Sequence, residues 1–167
     1  MDYKLDISDR MPEPLRVGLQ TCVPNTLERI AYFGKGPQEN YSDRCEGAFL
    51  GLYRSTPEKF MHSYITPQEN GNRCDVRWLS LTASDGRGVQ FVGAEPLSVS
   101  VWNCTQESLD KARHSNEVEP LADALTVNID RTQTGVGGTD TWSLKARPSD
   151  QYLSLIHISE PTRRSYI

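Results

Sequence analysis

Seven short runs of bulky or alternating apolar residues, parted by Gly-, Pro- and Asn-rich stretches, constrain this chain more than any other feature. Leu15 to Cys22 alternates apolar with other residues, as a half-buried strand does. Leu27–Phe33, Gly47–Tyr53, Arg73–Thr82, Val89–Val92, Leu97–Trp102 and Ala124–Ile129 read as further strands. Ser84-Asp85-Gly86-Arg87-Gly88 is a turn signal, so the runs on either side of it read as a hairpin. Trp78 and Trp102 lie within strand patterns and read as core. One helix is expected after Trp102, with Thr105 as its cap, Glu107 at the positive end of its dipole, and Leu109 and Ala112 facing inward. Strands at short spacing without alternating helices predict an all-β antiparallel sandwich rather than a doubly wound fold.

The length of 167 residues fits one domain. Eighteen basic and 22 acidic residues give a net charge of −4, which argues against a nucleic-acid partner. No apolar run is long enough to span a bilayer, so no membrane partner is expected. The first residues show no apolar signal region. Cys22, Cys45, Cys74 and Cys104 are scattered without a CxxC pair, and they read as reduced thiols of a cytoplasmic protein. On that reading the sequons at Asn40 and Asn103 are chance. No metal-ligand spacing is visible, and His62 and His114 have no Cys or Ser partner at a recognisable distance.

Leu153 to Arg163 resembles the in-frame translation of a sequencing-library adapter. Residues 153–167 are therefore expected to be adapter-derived and unstructured, with no part in the fold.

Three polar loops interrupt the strands, over Gly36–Arg44, Pro67–Arg73 and Thr134–Trp142. The string Pro-Gln-Glu-Asn occurs in the first and again in the second, each time followed by an Arg. Planar amides and carboxylates beside an indole suit paired sugar hydroxyls and the C–H face of a pyranose. The plainer reading is that Glu39 and Glu69 pair with a nearby Arg and fix their loops. There is no GxxxxGK[ST], HExxH or GxSxG motif.

These loops, together with Leu15–Leu19, Tyr64–Gly71, Arg73–Leu81, Asn128–Asp130 and Gly135–Ser143, resemble the C-terminal domain of large bacterial β-galactosidases of the lactose-operon type. The resemblance runs in order from about Leu15 to Tyr152. It assigns 15–152 to a C-terminal β-domain and 1–14 to a leading segment of the same domain. Three positions depart from the family pattern. Thr139 and Thr141 stand where the family has Asp and Ser, and Ser42 stands where it has Pro.

The resemblance implies the antiparallel supersandwich of galactose mutarotase-like proteins, with this chain as a partial domain. The whole enzyme is implied to hydrolyse terminal β-galactosides such as lactose with retention and to be a homo-oligomer. Its catalytic glutamates are implied to lie in a barrel elsewhere, as are its magnesium and sodium sites. No residue here is thus expected to be catalytic or to hold metal, and no cofactor is expected in this part. Trp142 is implied to bind the aglycone sugar at the active-site mouth. Asp140, Gly137 and Gly138 would support its loop. Glu39, Asn40, Arg44, Glu69, Asn70 and Arg73 would brace the other loops and meet neighbouring domains. A stand-alone carbohydrate-binding module and an aldose epimerase relative are the alternative readings.

Overall fold

A computed structural model of the chain describes residues 8, 12–138 and 148–153. Six antiparallel strands form one sheet: β1 (Arg16–Pro24), β2 (Arg29–Gly36), β3 (Phe49–Ser55), β4 (Arg73–Thr82), β5 (Gly88–Trp102) and β6 (Ala124–Gln133). Their spatial order is β1-β6-β5-β4-β2-β3, so β1 and β3 are the edges. The all-β antiparallel class agrees with the sequence reading.

The alternation of side chains explains the core. In β2 the buried Ile30 and Tyr32 face Leu81 and Leu79 of β4. In the other half of the sheet, Val99 and Val101 of β5 face Ile129 and Val127 of β6. These two sets join Val23, Phe60, Val76 and Leu125 in a single cluster on one face of the sheet. Each fully buried Val or Leu contributes about 1.5–3 kcal/mol.

β5 corrects the sequence reading. Val89–Val92 and Leu97–Trp102 are two ends of one 15-residue strand, not separate strands. Its first part pairs with β4, as Trp78 with Val92, and its last part lies between β4 and β6, with Val99 opposite both Arg73 and Ile129. Gly93 and Pro96 fall between the two paired parts, where a missing backbone donor costs no ladder bond. Opposite this stretch β4 shifts register, and Asp75 adopts a φ of 55°.

The expected helix is α2 (Gln106–Lys111), following the short helix α1 (Pro57–Phe60). Thr105 caps α2 by accepting from the Ser108 amide at 3.1 Å, and Leu109 is buried beneath it. Leu109 packs on Trp102 and Cys104 with Met61 and Val118 at the margin. Trp102 is core, as the sequence indicates. Trp78 is only half-buried and lies on the other face from its neighbour Leu79.

Candidate functional site

The first two polar loops fold side by side, and the repeated string produces the same local turn twice. In each copy the Asn side chain reaches back two residues: Asn40 Nδ2 donates to the Gln38 carbonyl at 3.0 Å, and Asn70 Nδ2 to the Gln68 carbonyl at 2.9 Å. In each copy the amide oxygen then accepts a distant backbone N–H. Asn40 Oδ1 takes that of Cys74 and Asn70 Oδ1 that of His62, both at 3.0 Å. Both asparagines are buried, so losing either amide would strand backbone donors. The loops are joined directly by the Asn40 amide donating to the Asn72 carbonyl and by Asn72 Nδ2 donating to the Asn40 carbonyl, each at 2.8 Å.

Glu39 binds three donors. Its carboxylate accepts from Arg44 at 2.7 Å, from the Tyr64 hydroxyl, and from the Gly71 amide at 2.7 Å. Gly71 has a φ of 73°, and a Cβ there would meet the Phe60 carbonyl at 2.6 Å, so glycine is required to present that amide. Arg44 also lies 4.9 Å from the Tyr41 ring centre.

The second Glu-Arg pairing fails. Glu69 does not meet Arg73; it sits 3.5 Å from Arg16, and Tyr41 donates to it at 3.4 Å. Arg73 is buried and donates instead to the Pro37 carbonyl at 3.0 Å, the Tyr32 hydroxyl at 3.2 Å, and the Gly71 and Asn72 carbonyls at 3.0 and 3.2 Å. Its guanidinium stacks 4.3 Å from the Phe60 ring centre. The planar fork reaches several carbonyls at once, which sequence proximity does not reveal.

Arg16 joins the loops to the sheet. It lies 3.0 Å from Asp130 on β6 and 5.7 Å from the Trp102 ring centre. Burial pushes the Asp130 carboxyl up to about 6 despite Arg16, and burial also raises Glu69. Beside them a cleft of about 200 Å³ opens between Leu15, Asp110, Gln133 and Val136. A raised carboxyl is protonated longer in the folded state, so the unfolded state gives up its proton first. The Asp130 contribution to stability therefore falls as pH rises from about 4 to about 6 and is constant above. We expect Asp130→Asn to flatten this slope in urea midpoints measured across that range. An unchanged slope in the variant would exclude Asp130 as its source.

The third loop starts from a brace that the sequence reading missed. Asp43 accepts from the Gly137 amide at 2.6 Å and the Val136 amide at 3.3 Å. A Cβ on Gly135 would collide with the Asp43 carboxyl, and one on Gly137 would come within 2.9 Å of it. The Gly135 amide donates to the Tyr152 carbonyl at 2.9 Å. Successive amides turned towards a carboxylate form a concave anion cradle, and the Gly-Val-Gly run was its only trace in the sequence. Gly138 is exposed beyond the cradle. Trp142 and Asp140 lie outside the described residues, as do Thr139 and Thr141.

Among the described residues no group of three or more His, Cys, Asp or Glu could hold a metal ion. No described helix is long and apolar enough to cross a membrane.

The model of the beta galactosidase small chain matches residues 1–162. A beta-galactosidase of Vibrio cholerae is 40% identical over 141 residues, which is 84% of this chain and 13% of the relative. One from Priestia megaterium is 32% identical over 149 residues, covering 89% of this chain and 14% of the relative. Beta-galactosidase 2 of Enterobacter cloacae is 37% identical over 148 residues, or 88% and 14%. The chain thus spans about one-seventh of the length of these relatives. With a family match across nearly its whole length, the chain belongs to the beta-galactosidase small-chain family.

Proposed function

We propose that this chain is the part of a β-galactosidase that completes the aglycone side of the active site, while the hydrolytic carboxylates belong to the rest of the enzyme. The carrying observation is the grip of Asp43 on Val136 and Gly137, with Gly135 tied to Tyr152. These contacts fix the backbone on which the segment bearing Trp142 begins. A fixed base lets an indole act as a binding platform without first being ordered by the sugar.

The chain's own carboxylates support the division of labour. A retaining glycosidase needs a nucleophile and an acid/base carboxyl about 5 Å apart across the sugar. Glu39 is consumed by Arg44, Tyr64 and the Gly71 amide, and Glu69 by Arg16 and Tyr41. Glu39, Asn40, Arg44, Glu69, Asn70 and Arg73 act as loop braces in this reading. Magnesium and sodium, where the enzyme uses them, are held by its other parts. In the epimerase alternative a histidine would work with a carboxylate, but His62 packs edge-on against Tyr64, with ring centres 4.4 Å apart.

Purified chain should leave a chromogenic aryl β-galactoside intact, whereas the full-length enzyme carrying it should turn that substrate over with retention. Turnover by the chain alone, abolished by Glu39→Gln or Glu69→Gln, would overturn the proposal.

A further inference from the structure

The face of the sheet opposite the core carries a continuous apolar row. Phe33 on β2 stands opposite Leu52 on β3 and opposite Trp78 on β4, and Trp78 stands opposite Val92 on β5. Directly opposed residues share a face, so these four side chains cross four strands, a span of roughly 14 Å. The row is open: Leu52 is 59% exposed and Val92 is 70% exposed. Leu50, two residues before Leu52 and on the same face, is 50% exposed. The row ends on the edge strand β3. Single exposed apolar residues are ordinary, but a continuous row reaching a sheet edge marks a contact surface.

We propose that this row is the docking face for the remainder of the full-length enzyme polypeptide, which meets it with an apolar surface rimmed by acidic groups. The inference rests on the reading that the chain is one part of a longer β-galactosidase. Relatives matched over most of this chain are covered by it to only 13–14% of their length, so ample polypeptide exists to cover the row. The charge around the row selects the occupant. Arg29 and Arg54 are exposed at strand positions facing the same way as the row, in a chain whose net charge is −4. A second copy docking the same face across a two-fold axis parallel to the strands would bring these arginines towards one another. An acidic rim on a different surface would instead complement them.

The test places a benzophenone side chain at Leu52 in the full-length enzyme, with Arg87 as the control site. Arg87 lies in the turn before β5, and its side chain is 89% exposed. Equal amounts of isotopically light and heavy subunits are mixed and irradiated, and cross-linked peptides are mapped. The expected result is cross-links from position 52 to peptides of the same polypeptide outside this chain, at about tenfold the yield at Arg87, because a covered site excludes water. Light-to-heavy links through this same row would overturn the proposal in favour of a second copy. Links confined to this chain, or a yield equal to that at Arg87, would also overturn it. Galactoside turnover plays no part in the readout, so an inactive enzyme that still cross-links would count against the functional proposal and not against this one.

Discussion

Arg73→Met should loosen the middle of the sheet more than any other single change in these loops. The side chain is 3% exposed and donates to Pro37, Tyr32, Gly71 and Asn72 at 3.0–3.2 Å. Methionine keeps much of the volume over Phe60 and removes every donor. The stranded acceptors are main-chain carbonyls and a buried hydroxyl, which water cannot reach without opening the loops. Each buried acceptor left unmatched costs about 1–3 kcal/mol, with partial relief as the loops relax. Summed over the four acceptors after that relief, a net loss of about 3–4 kcal/mol follows. In the full-length enzyme, amide exchange across β2 and β4 should accelerate on the order of 10²- to 10³-fold, at about 1.4 kcal/mol per tenfold. Arg87→Met, which removes an exposed partner of Asp85, should leave exchange unchanged. Undiminished protection in Arg73→Met would show that the hub is dispensable.

Much of this architecture is legible in the sequence because its signals are local. The alternation in Leu15–Cys22 locates β1, although Leu15 and Leu19 stay exposed and only Val17 of that run is buried, and Thr105 with Glu107 locates α2. The parts that escape reading depend on contacts far apart in the chain. Gly93 and Pro96 look like a break, yet β5 continues through them because neither residue is needed in a ladder. Trp78 looks like core because nothing local tells one apolar face of a sheet from the other. Proximity pairs Glu69 with Arg73, but folding brings Arg16 to Glu69 from 53 positions away in sequence and turns Arg73 towards carbonyls. Asp43 has no local mark of its role, since its partners lie 93 and 94 residues on.

Asp43 leads to the second large effect, on substrate binding. Its carboxylate holds the amides from which the Trp142 segment departs. Asp43→Ala should release that base and raise the KM for lactose in the full-length enzyme, by less than loss of the indole itself. Asp43→Asn, which keeps one acceptor oxygen, should restore part of the loss. Trp142→Ala should remove the platform outright. A sugar packed on an indole gains about 1–1.5 kcal/mol, so the KM for lactose should rise about tenfold. Capture of glucose as an acceptor should weaken by a similar factor. The kcat for an activated aryl galactoside should change little, because binding shared by ground and transition states appears in KM.

The most direct measurement compares KM for lactose, acceptor affinity for glucose and kcat for an aryl galactoside in wild-type and Trp142→Ala full-length enzyme, with the melting temperature recorded alongside. If Trp142 is the aglycone platform, lactose and glucose bind more weakly in the variant at a nearly unchanged melting temperature and aryl galactoside kcat. A large fall in melting temperature with unaltered glucose affinity would contradict it, making Trp142 a packing residue and leaving this chain without a part in holding the aglycone.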